Sequence, residues 1–174
     1  MRWHRAAAAI HGPRRVWYTA CVNTPARPGL KFESVDAMIA DVDSLRHGYE
    51  KAAQWDLGMV LDHLTKGMSG PFTGGGWNLP WPVGATLRAL MHRMAERGSY
   101  PSMKFPAPKA MRPTPGVDLE SACAAFRSAA ERVKALTGET VVWPPLGRMP
   151  TADFVAVQLL HGAHHLGYLR PTNH

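Results

Sequence analysis

Apolar residues recur at helical spacing in five stretches of this chain and alternate at strand spacing almost nowhere. The first stretch covers about residues 34–47, where Val35, Met38, Ile39, Val42 and Leu45 share one face. Ser34 stands where a hydroxyl can accept from an orphan backbone amide, and Gly48 follows the end. A second stretch, about 57–68, follows Asp56 as its cap and lines up Leu57, Val60, Leu61, Leu64 and Met68. The third, about 84–97, turns Leu87, Leu90, Met91 and Met94 inward and stops at Gly98. The fourth, about 119–136, begins after Asp118 and buries Leu119, Cys123, Phe126, Ala130 and Val133, with Gly138 closing it. The fifth, about 152–169, starts at Thr151 and ends before Pro171. It is apolar nearly all round, which predicts the most buried helix of the set.

Thr140, Val141, Val142 and Trp143 form the one β-branched run, and Pro144 and Pro145 cut it short. No internal repeat is visible. Several amphipathic helices satisfy their stripes only against one another, so the pattern predicts an all-α helical bundle. The connections are long for such a bundle. Residues 69–83 hold Gly70, Pro71, the Gly74–Gly76 run, Trp77, Pro80, Trp81 and Pro82, and residues 98–117 hold five prolines. Long loops of this kind are often binding loops. Trp77 and Trp81 are expected either at a pocket mouth or as the packing of the loop itself. The glycine run neither follows a strand nor leads into Gly-Lys-Ser/Thr, which argues against a phosphate-cradling loop.

At 174 residues, 45% hydrophobic and 19% charged, the chain suits one domain with a real core. Cys21 and Cys123 are too few for a disulfide framework or a cysteine-rich zinc site. No apolar run approaches the ~18–20 residues of a membrane-spanning helix. The formal charge is +7, and residues 1–32 carry six basic side chains with no acid, leaving the rest nearly neutral. A second basic stretch, Arg88 to Arg112, sets six positive residues against Glu96 alone. Neither stretch contains a groove-reading helix or aromatic platforms, so both are read as solvated surface and no nucleic-acid partner is expected. Arg14 and Arg15 precede Val-Trp-Tyr-Thr-Ala-Cys, which has traits of an export signal. Its apolar part is at the bottom of the ~7–15 residues such a region uses, and it contains Tyr18 and Thr19. Residues 1–29 are therefore expected to be a basic, disordered extension or an over-long start. Residues 30–170 are expected to form a single cytoplasmic domain.

The candidate chemistry lies in the histidines. There are nine, and three fall within residues 161–165. His161 and His165, four residues apart, lie within ~40° of each other on a helix and can converge on one ion. Phe154, Val157, Gln158 and Tyr168 share that stripe, while His164 falls to its edge. Two ligands hold a transition metal poorly, and His63, at the margin of the second apolar face, is the best third. His92 is expected to be exposed, and His47 to sit at a helix end where positive charge suits the dipole. Asp62 neighbours His63 but points about 100° away around the helix, so no carboxylate offers itself as a general base.

These residues resemble the DinB-like (YfiT-like) superfamily of small bacterial four-helix-bundle metalloproteins, and within it a branch known only as a domain of unknown function. The resemblance covers about residues 28–170. It rests on Leu30-Lys31-Phe32-Glu33-Ser34, on Trp55-Asp56-Leu57-Gly58-Met59-Val60-Leu61-Asp62-His63-Leu64, and on Met103-Lys104-Phe105-Pro106-Ala107-Pro108-Lys109. Pro145-Leu146-Gly147-Arg148-Met149 and His161-Gly162-Ala163-His164-His165-Leu166 complete it. It implies four long helices in an uncommon connection order, so one of the five segments is accessory, and the short third is expected to be broken or displaced. It also implies a divalent metal (Zn, Ni or Fe) held by His63, His161 and His165, and a metal-dependent thiol transferase or hydrolase. The expected partner is a small-molecule substrate, including a low-molecular-weight thiol, and relatives are often homodimers. Tyr168 and Gln158 are the candidates for orienting substrate or water. The alternative reading is a non-catalytic binding bundle.

Overall fold

A computed structural model describes residues 24–73, 79–100, 109–144 and 146–172. Five α-helices lie among the described residues: α1 (Val35–Arg46), α2 (Leu57–Thr73), α3 (Trp81–Arg97), α4 (Leu119–Lys134) and α5 (Thr151–Leu166). The caps read from the sequence are in place. Ser34 Oγ accepts from the Ala37 amide at 3.0 Å, Asp56 from Met59 at 2.9 Å, and Asp118 from Ser121 at 2.9 Å. Each satisfies an amide that the first helical turn leaves orphaned. Gly98 ends α3 with φ of 59°, a left-handed conformation that suits a residue without Cβ.

α1 packs against α4 and α5, and α2 packs against the same two helices, so these four close a ring in the order α1–α4–α2–α5. Three exposed ion pairs, Lys134–Asp36, Arg127–Asp43 and Arg46–Glu120, run in opposite sequence order along α1 and α4, which makes that pair antiparallel. The core fills the ring with Met38, Leu45, Leu57, Leu61, Met68, Phe126, Val133, Phe154 and Leu166. α5 approaches α1 so closely at Gly162 that any Cβ there would run into the Met38 side chain. α3 stands outside the ring against α5. It is displaced, as expected, but unbroken over 17 residues, starting at Trp81 with Pro82 in its first turn. Trp81 is 79% exposed, so it does not pack the loop onto the bundle; Trp77 lies outside the described residues.

The expectation of a purely helical chain is corrected by two small antiparallel sheets. β1 (Tyr49–Lys51) pairs with β4 (Leu169–Pro171), and β2 (Thr140–Trp143) pairs with β3 (Gly147–Pro150). β2 is the β-branched run already noted. β1 and β4, three residues each, are too short for alternation to register, and β4 takes Leu169, which the helical pattern assigns to the end of the fifth helix. α2 in turn runs past Met68 to Thr73, carrying Pro71 inside it.

Of the proposed extension, residues 1–23 lie outside the described residues. Its last part is fastened to the domain. The Arg27 guanidinium holds Asp41 at 2.5 and 2.9 Å and donates to the Leu166 carbonyl at 2.9 Å, while the Arg27 amide donates to Gly167 at 2.8 Å. Among the described residues no helix is long and apolar enough to cross a membrane.

Candidate metal centre

Two ring helices bring the three predicted histidines together. His63 comes from the middle of α2, His161 and His165 from the last turns of α5, and all three are buried. One ring nitrogen from each lies within 4.8 Å of the others. The His63 and His161 Nε2 atoms are 3.0 Å apart, and the three ring centroids are separated by 4.6–4.8 Å in near-perpendicular pairs. A common zinc ion at about 2.0–2.1 Å from each nitrogen would need separations near 3.4 Å, within reach of small side-chain rotations. The group holds no carboxylate and no thiolate.

His63 is oriented from behind. Its Nδ1–H donates to the Met111 carbonyl at 2.5 Å, at the end of a 3-10 turn spanning Lys109–Met111. A carbonyl only accepts, so the proton is on Nδ1 and Nε2 turns its lone pair toward the other two rings. The following segment is clamped to α2: Asp62 Oδ2 accepts from the Thr114 amide at 2.6 Å and from Lys66 Nζ at 2.7 Å, and Lys66 also donates to the Arg112 carbonyl at 2.8 Å. Asp62 is thus engaged away from the cluster, as its place on the helix predicts.

Aromatic rings wall the site. Trp55 stacks on His165 at 5.3 Å and tilts against His63 at 5.2 Å. Tyr100, just beyond α3, stacks on His164 at 4.7 Å and on His161 at 6.1 Å. Burial lowers the pKa of His63, His161 and His165; the last two lie well below the ordinary histidine value, pushed the same way by the neighbouring imidazoles, whereas the bond to Met111 opposes the shift of His63 in part. The rings are therefore neutral near pH 7, the form that binds metals. Burial likewise lowers His164 and raises the Tyr100 phenol.

The remaining candidates separate cleanly. His164 is half-buried at the edge and outside the ligand group. His92 is exposed and donates to Asp153 at 2.7 Å, which raises its pKa. His47 caps the end of α1. Tyr168 is buried with its ring 5.8 Å from His164. Gln158 is buried one turn before His161, with neither amide atom paired among the described residues. The sequence reading assigned no role to Trp55, Tyr100 or the Met111 carbonyl. Each arrives from a separate segment, and no spacing within the chain signals its approach.

A family model described as "Protein of unknown function (DUF1569)" matches residues 25–172. No curated protein and no solved structure matches the chain.

Proposed function

We propose that this chain, which belongs to the DUF1569 family, is a metal-dependent enzyme centred on His63, His161 and His165. The observation that carries the reading is three buried, neutral imidazoles within 4.8 Å, one of them locked with its lone pair facing inward. A hydrogen-bonded core histidine needs one partner. Three such rings in one buried spot, taken from two helices, are hard to account for by packing alone. The closed ring of α1, α4, α2 and α5, with α3 outside it, supports reading the fold as a DinB-like four-helix bundle.

A divalent ion such as Zn2+, Ni2+ or Fe2+ on three neutral imidazoles would keep its full charge and supply Lewis-acid activation of a water or thiol. The protein's part is positional. The Met111 carbonyl fixes the plane of His63, Trp55 packs over His165 and keeps bulk water from it, and Tyr168 is the group that orients substrate or bound water. The reaction class is transfer of a small thiol or water to an electrophile, on a small-molecule substrate. No carboxylate is available in the cluster to carry the proton, so the chemistry suits a nucleophile that is already acidic, such as a thiol.

Metal analysis by mass spectrometry after gentle purification, followed by calorimetry with zinc and nickel, tests this. The expected result is one ion per chain, lost on His63→Ala, His161→Ala or His165→Ala. A clean apo-protein that takes up neither metal would leave a bundle whose histidines satisfy one another, as the 3.0 Å approach of His63 and His161 allows.

A further inference from the structure

The proton positions around His161 follow from its neighbours. His63 spends its Nδ1–H on the Met111 carbonyl, which leaves the Nε2 of the neutral ring bare. His161 Nε2 lies 3.0 Å from that bare nitrogen. Two lone pairs facing each other at this distance repel, so without an ion the proton of His161 belongs on Nε2, donated to His63, and its Nδ1 is bare. If both Nε2 atoms face a shared cation, the same proton must sit on Nδ1 instead. The ring carries one proton in either state and changes only its tautomer.

A group beside Nδ1 would then have to accept in one state and donate in the other. Gln158 stands there. A Cβ built at Gly67, on the facing helix, would lie 3.5 Å from Gln158 Oε1 and 3.5 Å from His161 Nδ1, so the amide and the ring nitrogen border the same small space. Gln158 is 2% exposed, and both its amide atoms are unpartnered among the described residues. An amide buried without partners is costly, because it gives up its bonds to water for none in return. A carboxamide is also the side chain that offers a donor and an acceptor on a torsion with a broad, nearly two-fold profile.

We propose that Gln158 is a positioning residue for His161. Directly or through one water, its amide donates to the bare Nδ1 of the metal-free ring, and after a flip it accepts from Nδ1–H when Nε2 faces a cation. The second half rests on the metal reading above; the first does not.

The experiment measures side-chain 15N shifts of the full-length, metal-free protein, then zinc affinity, for wild type, Gln158→Leu and Gln158→Glu. His161 is expected as the Nε2–H tautomer in wild type. An ionised glutamate only accepts, so Gln158→Glu, measured at a pH where the carboxyl is ionised, should draw the proton to Nδ1 and bind zinc more tightly than Gln158→Leu by about 10–100-fold. Gln158→Met, similar in length but without the amide, replaces leucine if that variant fails to fold, and the leucine–wild-type comparison suffices if the glutamate does. The proposal is overturned if His161 keeps one tautomer and zinc affinity stays at the wild-type value in every folded variant. A wild type that ignores zinc while Gln158→Glu still shifts the tautomer would sink the metal reading and keep the positioning role.

Discussion

His63 shows how much a single position owes to its surroundings. The sequence placed it at the margin of an apolar stripe, and the structure buries it because the Lys109–Met111 turn closes over that margin. The three ligand candidates were legible in the sequence, since a four-residue spacing on an apolar helix and a histidine beside a second stripe are local patterns. Their protonation was not, because it depends on a carbonyl 48 residues away. The lowered pKa values set a sign for acid stability. An unfolded histidine titrates near ~6.5, so these folded rings contribute fully above that pH, and the contribution is lost as pH falls toward their depressed folded values. Metal-free protein is expected to lose about 1.4 kcal/mol per pH unit for each such histidine below pH ~6.5. Urea titrations between pH 5 and 8 check this, and His165→Gln should flatten the slope. Asp62 gives a second residue-scale test. Asp62→Ala frees the Thr114 amide and Lys66 together, so zinc affinity should fall by about tenfold although the residue touches no ligand; calorimetry reads it.

At the scale of elements, what the sequence revealed is what its local chemistry could encode. Ser34, Asp56 and Asp118 are caps because short acceptors suit orphan amides, and all three bond as expected. The tail of α2 was hidden by Pro71, which reads as a breaker although the helix continues through it. Leu169 was read as helix because its apolar spacing continues that of α5, whereas it pairs with Lys51 across a two-stranded sheet. Long-range pairing of three residues leaves no period to detect. Helix approach is equally invisible in one dimension, and Gly162 is the case in point. Its missing Cβ lets α5 settle against Met38 of α1. Gly162→Ala is therefore expected to destabilise by about 1–3 kcal/mol despite alanine's better helix propensity. Thermal or urea unfolding checks the sign, and Met38→Ala in the same chain should reduce the added penalty.

Across the whole molecule, the fold takes in residues that the hydrophobic pattern leaves outside it. Arg27 is one of six basic residues in a stretch that reads as solvated tail, yet it ties α1, through Asp41, to the last carbonyls of α5. A guanidinium fork matches a carboxylate and a carbonyl at once, which composition alone does not show. Arg27→Ala should cost about 2 kcal/mol by leaving Asp41 and the Leu166 carbonyl unpaired, measured by urea unfolding. Arg27→Lys should recover only part, because an ammonium lacks the planar fork.

α5 carries two of the three clustered rings, and it is moored at both ends. β3 runs straight into it and is paired with β2, the Thr151 amide and hydroxyl grip Glu139 and Gly138, and β4 leaves it to pair with β1. A rod fixed at its head and its foot has no slack along its axis. The geometry of the centre is then set at the opposite wall, where α2 carries His63 and the carbonyl of the clamped Lys109–Met111 turn fixes the plane of its ring.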